Sequence, residues 1–244
     1  MKKLLLSVIV LSSLVSCAQE KNTTGSDILK SAKGLFGKKG SGGLSNDDIV
    51  AGLKEALSVG ARNSSEKLSA ADGFFANAAI KVLMPEEAKK VESTLRSMGM
   101  GSLVDKAILS MNRAAEDASK SAAPIFVDAI KSMSIQDAVG ILKGSDTSAT
   151  SYLKTKTTNS LTEAFRPTIE TALQKTNATK YWKDVFETYN KLPTTFNKVN
   201  TDLTNFVTEK ALTGIFYQVA IEEKNIRQNP AARVTDILKK VFGN

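Results

Sequence analysis

Residues 102–122 read SLVDKAILSMNRAAEDASKSA. Alanine and unbranched side chains dominate the stretch, and both favour a helix. Ala107, Met111, Ala114, Ala115 and Ala118 give it a small-residue apolar face. Into that face the sequence sets a dense polar cluster, Asn112, Arg113 and Glu116. Arg113 and Glu116 are neighbours at i, i+3. A second cluster lies at 222–227, EEKNIR, after the apolar run Ile215-Phe216-Tyr217; there Glu223 and Arg227 are neighbours at i, i+4. Three readings apply to Asn112, Arg113, Glu116, Glu222, Glu223 and Arg227. They are surface ion pairs, each contributing under about 1 kcal/mol; a partly buried Arg–Glu network joining the two helices and fixing their register; or a binding or catalytic site. The surrounding alanines leave little room for a wet face. They favour a buried Arg113, whose replacement by Ala would strand a carboxylate at a cost of about 3 kcal/mol or more.

Helix signals continue outward from this stretch in both directions. In LSNDDIVAGLKEAL (44–57), Ser45 is placed as an N-cap with Asp48 three residues on and Leu44 as a staple. Ile49, Leu53, Leu57 and Gly60 share a face, and NSSEKLS (63–69) reads as a separate short turn of helix. DGFFANAAIKVLMP (72–85) has no helical period and reads as an extended, partly buried connector. Pro85 opens a helix ending at Gly99, Pro124 starts one reaching Met133, and Ser134, Asp137 and Gly144 bound a further one. Residues 146–175 read as one or two helices, bent or broken at Arg166-Pro167. Trp182, Val185, Phe186 and Tyr189 mark one face of the next, and 202–228 is a long helix with a possible break at Gly214. Asn229-Pro230 begins a last one ending at Phe242. No Asn-Gly or Asp-Gly turn joins two alternating runs, so no hairpin is expected. The class is all-α, an irregular bundle of about eight to ten helices without the fixed period of a solenoid.

The chain begins MKKLLLSVIVLSSLVSC. Two lysines precede an apolar run too short to span a bilayer, which takes about 20 residues, and the pattern is that of a secretory signal. Leu14-Val15-Ser16-Cys17 resembles the lipobox of bacterial lipoproteins, in which the Cys is acylated and the chain is cut before it. That resemblance makes residues 1–16 a signal peptide and 17–43 a lipidated Cys17 with a flexible tether. Residues 44–244 are then a single all-α domain. Ala18, in place of the Asp that marks inner-membrane retention in enteric bacteria, points to the outer membrane. Ile28, Leu29, Ala32, Leu35 and Phe36 stand at helical spacing among lysines, a pattern that suits a short amphipathic helix on the membrane, a segment docked on the domain, or a disordered stretch.

Composition narrows the chemistry. The formal charge of +8 is scattered and interleaved with acids, which is not a nucleic-acid signature. The chain contains no histidine and one cysteine. Histidine-dependent triads and His-bearing zinc sites are thereby excluded, and neither a metal nor another cofactor is expected. Gly37-Lys38-Lys39 lacks the Ser or Thr of a phosphate loop. Ser64-x-x-Lys67 and Ser151-x-x-Lys154 lack the partner motifs of penicillin-binding proteins.

Several stretches together resemble a known family: GLKEAL (52–57), NRAAEDA (112–118), FVDAIKSMSIQDAVGILKG (126–144), SATSYLKTKT (148–157), VTEKALTGIF (207–216) and EEKNIRQNPAARVTDILKKVFG (222–243). The family is the bacterial domain of unknown function 4197. The resemblance implies an envelope protein with a signal peptide and carries over no activity. The first functional expectation is a lipid-anchored, non-catalytic helical module of the cell envelope that binds a partner protein or an envelope component. The alternative is a carrier of an apolar ligand in an inter-helix cavity, and behind it a carboxylate-based hydrolase.

Cys17→Ala is expected to release the protein from the membrane fraction or to leave it unprocessed. Metabolic labelling with a palmitate analogue checks this, and a variant labelled as strongly as the natural chain would refute the anchor.

Overall fold

The computed structural model describes residues 46–190, 198 and 202–229. Cys17, the tether, the Leu44–Ser45 cap and the last expected helix (230–242) lie outside these residues. Among the described residues there are eight α-helices, one 3-10 turn and no strand. None of the helices is long and apolar enough to cross a membrane.

Helix α1 spans Asn46–Ser69 without the break expected before residue 63. The polar segment NSSEKLS stays helical because its hydroxyls are satisfied inside the protein. Ser64 Oγ donates to Gly60 O (2.8 Å) and Ser65 Oγ to Ser119 O (2.5 Å). With those groups paired, Leu68 can be fully buried on the same helix. After α1 the chain runs through turns and an extended stretch, as the missing period in 72–85 implied. Pro85, extended at φ −63° and ψ 156°, leads into a 3-10 turn (Glu86–Ala88) and then α2 (Lys89–Ser97). Gly99, at φ +80°, closes α2 in a conformation that glycine adopts without strain.

Helix α3 (Gly101–Ser119) carries the NRAAE cluster on its alanine-rich face. Helix α4 (Ala122–Lys131) starts two residues before Pro124, whose missing N–H falls in the first turn where no intrahelical partner exists. Helix α5 (Ile135–Lys143) has the full capping box: Ser134 Oγ accepts from Asp137 N (3.1 Å), and Asp137 Oδ2 accepts from Ser134 N (3.0 Å). Hydrogen bonds from the Ser134 hydroxyl and then its N–H hold the Asp137 carboxyl below its ordinary value.

Helix α6 (Ser148–Lys175) passes through Pro167 unbroken. Pro167 is exposed, while Leu161, Phe165, Ile169 and Leu173 form a buried stripe on both sides of it. The packing of that stripe outweighs the one hydrogen bond the proline removes. Asn177, at φ +55°, turns the chain into α7 (Ala178–Asn190), where Trp182 and Phe186 are buried. Helix α8 (Leu203–Gln228) is capped by Asp202, whose Oδ1 accepts from Asn205 N (2.9 Å).

Gly214 does not break α8. A Cβ at this position would lie 2.3 Å from Phe74 Cε1, so the glycine gives the aromatic ring of the connector a seat against the helix. Helix α6 packs mainly on α8 and α3, and α1 on α4 and α8. The main core runs between them, and a smaller cluster of Val50, Leu53, Met133, Ala138, Ile141 and Ala149 joins α1, α5 and the start of α6.

Gly214→Val is expected to destabilise the domain by about 1–3 kcal/mol through overpacking against Phe74. A urea melt checks it; Gly214→Val combined with Phe74→Leu should recover part of the loss.

Candidate functional site

The polar residues of α3 are turned toward the irregular connector. Glu116 is buried at 4 % exposure. Its Oε1 accepts from the N–H groups of Phe74 and Phe75, both at 3.1 Å, and its Oε2 from Arg113 Nη1 at 2.6 Å. Arg113 also donates from Nη2 to Asp72 Oδ1 at 2.7 Å. One helical turn earlier, Asn112 is fully buried and grips Val82 by both backbone groups. Its Oδ1 accepts from Val82 N (2.9 Å) and its Nδ2 donates to Val82 O (2.8 Å). The connector buries Phe74, Ile80 and Val82 without helix or strand to pair its amides, so α3 supplies the missing partners from side chains.

Glu223 repeats the arrangement elsewhere. Helix α6 has no side-chain cap of its own. Glu223, 5 % exposed on α8, accepts from Ala149 N (2.9 Å) and from the N–H and hydroxyl of Thr150 (both 2.8 Å). Its charge therefore sits at the positive end of the α6 dipole. Arg227 donates to Glu223 Oε1 from Nε (3.1 Å) and Nη2 (2.9 Å), and from Nη2 to Ile141 O (2.7 Å). Glu222 accepts from Gln218 Nε2 at 2.9 Å.

Two sequence expectations are corrected by this geometry. The NRAAE and EEKNIR clusters do not form one network: Arg113 pairs with Glu116 and Asp72, Arg227 with Glu223, and among the described residues no ion pair links the two groups. Arg113 is not buried either; its side chain is 42 % exposed. The alanines around it do face the core, but the guanidinium leaves the helix sideways toward Asp72 on the surface. Hydrogen bonds to Glu116 first, and to Asp72, raise the Arg113 pKa above its ordinary value. Asp72 and Phe74 were the residues the sequence could not nominate, since their role depends on a connector that has no period.

A cavity of about 400 Å³ lies between α2, α3, α7 and the start of α8. Val104, Met111 and Phe186 line its buried part, and Trp182, the only tryptophan of the chain, is also in its wall. Trp182 packs on Phe186 and Phe206, with ring centroids 4.5 and 6.0 Å apart. Val91 and Leu95 of α2 close one side, although α2 has no buried residue. Leu103 and Leu109 stand half-exposed in the wall, and among the described residues the polar lining is Lys106, Ser110 and Thr176. Neither Glu116 nor Glu223 lines this cavity. Among the described residues no cluster of three or more acids or cysteines is placed to hold a metal.

Fold and site define an all-α domain with two buried carboxylate clamps and an apolar inter-helix cavity. The chain belongs to the family described as Protein of unknown function (DUF4197), whose model matches residues 43–243. No curated protein and no solved structure matches it.

Glu116→Ala strands the Phe74 and Phe75 amides and is expected to cost about 3 kcal/mol. Arg113→Ala leaves Glu116 both amide donors and is expected to cost about 1 kcal/mol. Urea melts of both variants check the order, and an Arg113→Ala loss as large as that of Glu116→Ala would refute it.

Proposed function

We propose that the protein is a lipid-anchored, non-catalytic module of the bacterial cell envelope, placed at the outer membrane, whose helical domain carries an apolar ligand. The observation that carries this reading is the cavity of about 400 Å³ lined by Trp182, Phe186, Val104, Met111, Val91 and Leu95. Its volume falls in the range of small-molecule sites, which combine apolar walls with a few polar groups. The clamped carboxylates support a non-catalytic role, because Glu116 and Glu223 are engaged with backbone amides and stand outside the cavity. The lipobox resemblance at Cys17 supports the anchor. A second reading, contact with an envelope protein, draws on Met98 and Met100, which are exposed at the turn between α2 and α3.

The neutral fluorophore N-phenyl-1-naphthylamine tests the carrier reading. The mature chain carrying Cys17→Ala, so that no acyl chain of its own competes, is expected to bind one molecule saturably, with energy transfer from Trp182. Ala107→Trp, which fills the cavity, should abolish the binding while the urea melt stays near that of the parent. Saturable binding that survives in a folded Ala107→Trp variant would refute the reading.

A further inference from the structure

Of the three polar residues in the cavity wall, Thr176 donates its hydroxyl to Leu173 O, and Lys106 and Ser110 come from one helix. Lys106 and Ser110 are four residues apart on α3, so their side chains lie one above the other on the same helix face. Both line the cavity. Among the described residues, the Lys106 ammonium has no ion pair and the Ser110 hydroxyl makes no hydrogen bond. The nearest acid in sequence, Asp105, is already paired with Arg96 at 2.8 Å. Apart from Thr176, the other described residues of the wall are apolar, and Val104 and Met111 among them are buried.

We propose that the ligand is a single-chain fatty acid, its tail in the cavity and its carboxylate on Lys106 Nζ and Ser110 Oγ. This rests on the carrier reading above and names the class of ligand for that same site. Charge selects the anion: Lys106 is an exposed residue in the wall of a mostly apolar site, without an ion pair among the described residues, and a carboxylate there gains charge-assisted hydrogen bonds. A site of about 400 Å³ with apolar walls accommodates a single acyl chain. The head is a carboxylate because one ammonium and one hydroxyl match its two oxygens. A phosphate offers more oxygens than these two groups can satisfy.

Displacement of N-phenyl-1-naphthylamine from the Cys17→Ala mature chain tests the assignment, with laurate and dodecanol as competitors below their aggregation limits. Laurate is expected to displace the probe at about one-tenth of the dodecanol concentration, the gain of one hydrogen bond to a charged group. In Lys106→Met the two competitors should differ by less than about twofold, and Lys106→Arg should restore the preference for laurate. Equal displacement by laurate and dodecanol in the parent chain would overturn the head-group assignment while leaving the carrier reading intact. Absence of probe binding would instead remove the carrier reading itself. Lysophosphatidylglycerol that outcompetes laurate in a Lys106-dependent manner would overturn the choice of carboxylate.

Discussion

A backbone amide taken out of water needs an acceptor, and in this domain the need is sharpest where the chain is least regular. Between α1 and α2 it buries Phe74, Ile80 and Val82 while forming only turns and an extended stretch. Glu116 and Asn112 of α3 take up the amides of Phe74, Phe75 and Val82. The placement of neighbouring parts of the chain depends on that grip. Phe74 is held against Gly214 of α8, and Met84, two residues past Val82, is set in the cavity wall. Pro85 then launches the 3-10 turn and α2. The cavity thus owes one of its sides to a connector that is fixed only by side chains from α3.

The same device secures α6. Its first amides are met by Glu223 from α8, and in both places an arginine on the carboxylate's own helix neutralises the charge. The two arginines differ in surroundings. Arg227 has a side chain 10 % exposed and also reaches Ile141 O, whereas Arg113 is 42 % exposed and reaches Asp72. A buried carboxylate that accepts two amide hydrogen bonds avoids the penalty an unpaired charge would incur. These polar clusters therefore orient a segment and a helix end within a largely apolar interior.

Local rules made most of the helices legible. The Ser134–Asp137 box, the stop at Gly99 and the entry at Pro85 each follow from chemistry within a few residues, and the structure keeps all three. The boundaries that differ are those decided by distant partners. NSSEKLS reads as a separate short turn of helix until Ser119 O is there to receive Ser65. Pro167 reads as a bend or a break and Gly214 as a place where the helix could break, because a sequence does not display Phe74 or the buried stripe of α6. The polar clusters were visible as anomalies in apolar helices, but their partners were not, since no spacing connects Glu116 to residue 74 or Glu223 to residue 149. The cavity was legible only as a category. Its walls come from four helices that meet through tertiary packing.

Helix α2 forms one side of the cavity yet has no buried residue, and it touches mainly α3 and the 3-10 turn before it. A segment with so little buried surface belongs to the low-energy end of the native-state opening spectrum. Its opening is expected to cost less than unfolding of the α1, α3, α6 and α8 core. The site is open on the side of Leu103 and Leu109, so movement of α2 would widen it, against a handful of contacts around Val91, Leu95 and the Arg96–Asp105 pair. An occupant touching Val91 and Leu95 would raise the protection of the α2 amides toward that of the core. The wall would become part of the cooperative unit only when the chamber is full.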